Sequence, residues 1–303
     1  MKKGVIKRMD YSMLSSYIGR WATLLVFSVI ILLALGAIFI KEEDIAHTPL
    51  SIGVCAFDSV TVWSRFNLLS EFIISNGGPD IRWVYFDPDS APRGCNFYLM
   101  TTKQAAPFLL DHSMNCSLIV TQKDARKYSR GIVIARKGKG RTAKGSRIFV
   151  NSGISPSGSI SALDALLRSS IAMDAEYIID YADRYDRGVE KVVFGLLYGG
   201  YDFGCISDVR FDYMKSHGLI DVDRLEVLVE GDPVIELVLT SDGKDDNKRT
   251  ARMIKALLAI SSRISPELRD QLESIGVADF IAPRVADITS IKAIAMHHRD
   301  ANQ

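Results

Sequence analysis

One apolar segment near the N-terminus constrains this chain more than any other feature of its sequence. Between Trp21 and Ile40 the sequence reads WATLLVFSVIILLALGAIFI, which is 20 consecutive residues without a charge. A helix of that length rises about 30 Å, the thickness of the hydrocarbon core of a bilayer. The alternative is a buried core helix, which is disfavoured because no polar face interrupts the run. The segment therefore predicts a single transmembrane helix.

The charges that flank this segment predict its orientation. Five Lys and Arg residues and one Asp precede it, whereas the mostly acidic KEED (41–44) follows it. Short flanks rich in Lys and Arg remain in the cytoplasm. We therefore expect a cytoplasmic tail (1–20), an uncleaved signal-anchor (21–40) and a domain across the membrane (41–303). The alternative is a cleaved signal peptide with a site near ALG (34–36), although the apolar run exceeds the usual length of about 7–15 residues.

Charge and cysteine content exclude some functions. The net charge is +1, from 37 Lys and Arg against 36 Asp and Glu, and it does not suggest a nucleic-acid binder. The four cysteines form no CxxC and no Cys/His cluster with metal-site spacing, so we expect neither a metal nor a cofactor. Across a membrane they could pair, in a connectivity that the sequence does not choose, or remain isolated buried thiols.

Short apolar runs alternate with helical patterns after residue 48. Leu50–Phe57 and Ile81–Phe86 have the length of buried strands, and the segment between them carries apolar residues at helical spacing. This alternation predicts an α/β fold with crossover helices. The last helix is predicted to begin at Asp287 as its N-cap. We predict a hinged cleft between two lobes, with lobe 1 at about 48–130, lobe 2 at about 147–240 and C-terminal helices at 245–298.

A serine-rich stretch is the most suggestive candidate for a binding site. The sequence NSGISPSGS (151–159) follows a predicted strand and opens a predicted helix. Free N–H groups at a helix start, with Ser hydroxyls beside them, bind anions. An ordinary N-cap is the alternative, because Ser is a favoured cap residue. The candidate residues are Ser155, Ser157, Gly158 and Ser159.

No pattern supports an enzyme. The sequence contains no GxSxG, and its five His residues are scattered. The stretch GRTAKGS (140–146) imitates a phosphate-binding loop but lacks the Lys after the second Gly, so nucleotide hydrolysis is not predicted. We therefore expect a binding protein without catalytic activity.

Five stretches carry a resemblance to a known family: IGVCAFDSVTVWSRFNLLSEFI (52–73), RIFVNSGISPSGSISALDALL (147–167), FGLLYGGYDFGCISD (194–208), GDPVIELVLTSD (231–242) and LLAISSRISPELRDQLESIGVADFIAPRVADITSI (257–291). They resemble segments of the phosphate-, phosphite- and phosphonate-binding proteins of ABC transporters, which are type II periplasmic binding proteins. In this comparison Ser155, Ser157 and Gly158 match the family's S-x-S-G. The resemblance covers roughly residues 50–295.

The resemblance implies a function and a compartment. It implies a two-lobed periplasmic domain, anchored in the bacterial inner membrane, that captures a small phosphonate- or phosphate-like anion by lobe closure and delivers it to an ABC permease. An alternative is a sensing module whose closure is passed to a membrane partner such as a histidine kinase. The uncleaved anchor favours a stationary receptor, whereas a diffusing carrier requires cleavage.

The resemblance also implies roles for individual residues. The anion is expected between Thr101 and Thr102, which stand where the family has Gly-Pro, and the serines at 155, 157 and 159. Asp208 or Glu236 is expected to hold an amino group or a protonated oxygen. Glu190 is expected to take the place of a family His, which would favour an amine-bearing ligand over a plain phosphonate.

Overall fold

The computed structural model describes residues 49–300, apart from 56–65, 88–92, 123–125, 139–144, 152–154, 170, 172–176, 183–187, 220, 244–247 and 275. Pro49–Gln303 forms one compact unit. Within the described part, no helix combines the length and apolarity that crossing a bilayer requires. The predicted transmembrane segment Trp21–Ile40 lies outside the described residues, and so does most of the stretch GRTAKGS (140–146).

The first sheet has six strands. They are β1 Leu50–Val54, β2 Ile81–Tyr85, β3 Phe97–Thr101, β4 Asn115–Thr121, β10 Leu237–Ser241 and β11 Asp279–Ile281. Their order is β11-β4-β10-β3-β1-β2. Strand β1 runs parallel to β2 and β3, whereas β10 runs antiparallel to both β3 and β4. Every residue of β1 and β3 is buried, as expected for apolar runs covered on both faces.

The second sheet has five strands. They are β5 Ser129–Arg136, β6 Ser146–Val150, β7 Tyr177–Tyr181, β8 Phe203–Ser207 and β9 Leu225–Val234. Their order is β7-β6-β8-β5-β9. Strand β6 is parallel to β7 and β8, and β5 is antiparallel to β8 and β9. The central β8 is fully buried, whereas the edge strand β7 leaves Ile178 and Tyr181 exposed.

Helices cover the sheets. They are α1 Asn67–Ser75, α2 Thr102–Leu110, α3 Ala162–Arg168, α4 Gly188–Tyr198, α5 Asp208–Ser216, α6 Lys248–Leu258, α7 Ile260–Arg263, α8 Pro266–Ser274 and α9 Val285–Asp300. A π-helical turn, Pro156–Ser161, precedes α3, and a short 3-10 helix, Val222–Arg224, precedes β9. Alternate residues of β3 and β4 enter opposite cores of the first sheet. Leu99 and Leu118 join one core, and Met100 and Ile119 join the other.

The chain crosses between the two sheets twice. Residues 122–128 lead from β4 into β5, and Ile235 and Glu236 lead from β9 back into β10. The sheets therefore divide the chain differently from the predicted lobes, because β5 belongs to the second sheet and β10 to the first. Strand β10 belongs to the first sheet because it pairs with β3 on one side and β4 on the other. Its residues Val238 and Thr240 have no exposed surface. Local sequence does not specify such distant partners.

The last helix begins before its predicted N-cap. Helix α9 starts at Val285, so Asp287 lies in its first turn, where its carboxylate accepts a hydrogen bond from the backbone N–H of Arg284 at 2.8 Å. The same carboxylate pairs with Lys127 and accepts the Tyr128 hydroxyl at 3.1 Å. Burial alone would raise the pKa of Asp287, but these bonds lower the pKa below its ordinary value. Asp287 thus ties the first crossing to α9.

The four cysteines are all free thiols. Burial raises the pKa of Cys55, Cys116 and Cys205 to about 12, and it also raises the pKa of Cys95. They are therefore protonated at neutral pH and poorly reactive. In this structure they behave as small apolar side chains.

Candidate functional site

Polar side chains meet where strands of both sheets end near the two crossings. Strands β1 and β3 are parallel neighbours in the first sheet, and β6 and β8 are parallel neighbours in the second. The carboxyl ends of parallel neighbours lie at one edge of a sheet, which is where α/β proteins bind ligands. We use the name crossing site for seven predicted residues at this place: Thr101, Thr102, Ser155, Ser157, Gly158, Ser159 and Glu236.

The serine turn, Ser155 with Pro156–Ser161, begins as an N-capped helix. Ser155 has an extended backbone (φ −77°, ψ 115°), and its hydroxyl accepts the N–H of Gly158 at 3.1 Å. Pro156 occupies the first helical position, where its missing N–H costs little. The N–H and hydroxyl of Ser159 both donate to the Ser155 carbonyl, at 3.0 and 2.5 Å. The N-cap alternative therefore describes Ser155.

Two glycines allow the serine turn to lie close to the second sheet. A Cβ at Gly131 on β5 would stand 2.1 Å from the backbone N of Ala162 and 2.3 Å from the carbonyl O of Ser157. A Cβ at Gly158 would stand 2.7 Å from Nδ2 of Asn151. Backbone atoms cannot move far enough to relieve contacts this short. A glycine at position 131 is therefore required for the serine turn to pack at this place on β5.

Glu236 brings the second crossing to the serine turn. Its carboxylate accepts the backbone N–H of Ser157 at 2.9 Å and also the Ser157 hydroxyl. The Ser155 hydroxyl lies 3.5 Å from the same oxygen. Glu236 is only 7% exposed, so the carboxylate depends on these donors rather than on water. Glu236, a residue of the second crossing, thus occupies the hydrogen-bond donors at the start of the serine turn.

The two threonines hold the first sheet to the same crossing. Thr101 caps α2 in a reciprocal arrangement with Gln104, whose N–H donates to the Thr101 hydroxyl at 3.3 Å. Thr102 donates its N–H to the carbonyl of Glu236 at 2.8 Å and its hydroxyl to the carbonyl of Ile235 at 2.5 Å. These bonds fix the backbone of the second crossing against the start of α2.

The surroundings of Glu236 raise the pKa of its carboxyl from 4.5 to about 7. Burial is the largest cause, and the negative charge of Asp208 adds to it, whereas the bonds from Ser157 and Ser155 act in the opposite direction. Asp208 begins α5 and accepts the Ser129 hydroxyl and the Arg130 N–H, both at 2.9 Å. Near pH 7 Glu236 therefore populates both its charged and its neutral form.

Glu190 takes a different partner. It lies in the first turn of α4 and forms an ion pair with Arg210 at 3.4 Å, with both side chains mostly buried. Arg210 is in the first turn of α5, as Asp208 is. Among the described contacts, none joins Glu190 to the crossing site. The structure therefore places Glu190 with α5.

Several polar residues near the crossings were not predicted. Ser129 and Ser207 share a hydrogen bond at 2.8 Å at the junction of β5 and β8. The Thr121 hydroxyl and the Gln122 side-chain oxygen are buried without a hydrogen-bond partner among the described residues. A polar pair directly after an apolar strand is the sequence signal that could have found them. No group of three potential metal ligands occurs in the described part of the chain.

Two α/β sheets joined by two crossings, with polar side chains at their facing ends, define a two-lobed ligand-binding protein. The sequence matches the family model described as ABC transporter, phosphonate, periplasmic substrate-binding protein over residues 100–288. That match includes more than half of the chain, and the chain belongs to this family. Its members are substrate-binding proteins of transporters rather than enzymes, and they work in the periplasm. A comparison with curated proteins finds no match.

Solved structures support the fold. XAC2383 from Xanthomonas citri bound to ATP has a TM-score of 0.63 and 16% identity, covering 83% of this chain and 98% of that one. A binding protein component of an ABC phosphonate transporter (PA3383) from Pseudomonas aeruginosa has a TM-score of 0.60 and 10% identity, covering 84% and 88%. PhnD1 from Prochlorococcus marinus in complex with methylphosphonate has a TM-score of 0.60 and 13% identity, covering 82% and 98%. At these identities the likeness concerns the fold.

Proposed function

We propose that this chain captures a small phosphonate between its two lobes in the periplasm and presents it to the permease of an ABC transporter. The observation that carries the proposal is the family match over residues 100–288. That range includes every residue of the crossing site and both connections between the sheets. The likeness to PhnD1, which was solved with methylphosphonate, supports the ligand class.

In this proposal the phosphonate oxygens are held by hydroxyl and N–H donors at two helix starts. Thr101 and Thr102 begin α2 on the first sheet, and Ser155, Ser157 and Ser159 form the serine turn on the second. Both helix starts carry partial positive charge, which favours an anion. A ligand held by both lobes stabilises the closed arrangement by its higher affinity for it.

Carboxylates near the crossing site are proposed to select the rest of the ligand. Asp208 and Glu236 are acceptors for an amino group or for a protonated oxygen. Glu190 is already paired with Arg210 at 3.4 Å, so a ligand ammonium has to compete with that guanidinium. We therefore assign the amino-group role to Asp208 and Glu236 ahead of Glu190.

A thermal-shift screen tests the ligand class. Phosphate, phosphite, methylphosphonate and an aminophosphonate are added separately to the purified protein, with sulfate as the control anion. A ligand that binds only the folded protein raises its melting temperature by mass action, by an amount equivalent to about 2.7 kcal/mol at 100 times Kd. We expect a rise with at least one phosphonate and none with sulfate. The absence of any rise would remove the phosphonate class while leaving the fold intact.

We also propose that the apolar segment Trp21–Ile40 keeps the binding domain at the inner membrane, with residues 1–20 in the cytoplasm. The uninterrupted apolar run and the basic residues before it support this proposal. N-terminal sequencing of the mature protein tests it. An intact N-terminus supports the anchor, and a mature end near Ala37 would instead identify a cleaved signal peptide.

A further inference from the structure

The donors assigned to a ligand anion are already bound within the chain. The N–H groups of Gly158 and Ser159 donate to Ser155, and the N–H and hydroxyl of Ser157 donate to the carboxylate of Glu236. On the other lobe, Thr102 donates both its N–H and its hydroxyl to the second crossing. The structure therefore has its own anionic group at the start of the serine turn.

A carboxylate and a phosphonate present the same chemistry to these donors. Each offers oxygens that accept charge-assisted hydrogen bonds from an N–H and a neighbouring hydroxyl. Two anions cannot share one buried set of donors without strong mutual repulsion, because burial weakens the screening by water. Glu236 and a ligand therefore cannot occupy the Ser157 donors at the same time.

We propose that Glu236 is an internal competitor for the anion site, and that a phosphonate binds as the Glu236 carboxylate leaves the Ser157 donors. This inference rests on the proposed function and names the residue that sets its affinity. The backbone of Glu236 is held by Thr102 at 2.8 Å, so the exchange involves the side chain and leaves the crossing in place.

The charged groups around Glu236 fit this role. Asp208 lies close enough for its charge to act on the carboxyl, and it makes an ionised Glu236 less stable where it is. On β9, four residues before Glu236, Asp232 is exposed and pairs with Arg168 at 2.7 Å. The described hydrogen bonds to the carboxylate come from Ser157 and Ser155, and these two residues hold it in place.

The test compares methylphosphonate binding by three full-length proteins in isothermal titration calorimetry at pH 8. They are the wild type, Glu236→Gln and the matched control Glu230→Gln, which removes an equal charge from the exposed surface of β9. We expect Glu236→Gln to bind at least tenfold more tightly than the wild type and Glu230→Gln to stay within twofold. Adding Ser157→Ala to Glu236→Gln should abolish the gain, because it removes a donor that the ligand takes over.

The outcomes separate the two proposals. Wild-type binding with no gain in Glu236→Gln overturns the internal competitor and leaves the proposed function standing. No binding by either protein overturns both, since removal of the carboxylate then uncovers no anion site. Should Glu236→Gln fail to fold, carboxyl-carbon NMR of the wild type decides. Saturation with methylphosphonate should shift the Glu236 signal, and an unchanged signal overturns the inference.

Discussion

Replacing Glu236 by Gln should change how the stability of the fold depends on pH. The Glu236 carboxyl is buried, and its pKa is raised from 4.5 to about 7, chiefly by burial. Gln has the same shape and can accept the same Ser157 N–H, but it carries no proton to exchange. The variant therefore removes the titration of one group and leaves the packing around it largely unchanged.

The direction follows from linkage between protonation and folding. Because the folded-state pKa is raised, the folded protein binds more protons than the unfolded chain between pH 4.5 and about 7. The stabilisation that results is complete below pH 4.5 and is lost as the pH rises through 7. Integrating between pH 5 and pH 8 gives a loss of about 2–3 kcal/mol for the wild type that the Gln variant does not share.

Urea unfolding of both proteins at pH 5, 6, 7 and 8 measures this difference. We expect the free energy of unfolding of Glu236→Gln to rise by about 2–3 kcal/mol relative to the wild type from pH 5 to pH 8. Any constant cost of the substitution cancels, because only the change with pH is compared. Parallel pH profiles for the two proteins would refute the reasoning, since they would mean that Glu236 titrates alike in the folded and unfolded states.

Three further substitutions test other parts of the structure. Asp287→Asn should lower the free energy of unfolding by about 2–4 kcal/mol in urea titrations at pH 7, because it leaves Lys127 without its buried partner. The depressed pKa of Asp287 means that this contribution is lost in the wild type as pH falls into the acid range. Gly131→Ala should cost about 3 kcal/mol or more, or prevent folding, because its Cβ meets backbone atoms of Ser157 and Ala162. In the Glu236→Gln background, Ser157→Ala should weaken methylphosphonate binding about tenfold in calorimetry while the circular dichroism spectrum stays unchanged.

Matched variants show what would contradict these expectations. Asp270→Asn removes an exposed carboxylate from α8 and should change stability by less than about 0.5 kcal/mol. A Cβ at Gly94 would meet no atom within 4 Å. Gly94→Ala should therefore lower the free energy of unfolding only by the cost of a positive φ in a residue with a side chain, about 1–2 kcal/mol. Equal effects of Asp287→Asn and Asp270→Asn, or of Gly131→Ala and Gly94→Ala, would contradict the contacts described here. Unchanged binding when Ser157→Ala is added to Glu236→Gln would remove the serine turn from the ligand site.

An apolar run in the sequence predicted β1, because burial on both faces leaves a continuous apolar signature. Recognising Leu50–Val54 as a strand needs no information from elsewhere in the chain. The placement of β10 was not predictable in this way, since its pairing depends on strands more than 100 residues earlier. A strand's partners are a property of the whole fold.

The candidate site was likewise predictable only where its contacts are local in sequence. The sequence indicated both an N-cap and an anion site in the serine turn, because both use the same local pattern of Ser and Gly. It did not indicate that Glu236 contacts Ser157, because 79 residues separate them. Asp287 was predicted to be an N-cap from local residues alone. Its bonds to Lys127 and Tyr128 arise from the packing of α9 against the first crossing.

The two crossings described above have a consequence for biosynthesis. The second sheet is one uninterrupted stretch, Ser129–Val234, whereas the first sheet needs β10 and β11 from beyond it. A hydrogen bond between Thr240 and Tyr98 joins residues 142 positions apart. Because synthesis is vectorial and distant contacts form slowly, we expect β8 to gain protection before β3 in pulse-labelled hydrogen exchange. The first sheet, which begins the domain, is then the last to be completed. Until β10 pairs with it, β3 is an unpaired edge strand, and this is the surface that a chaperone would have to cover.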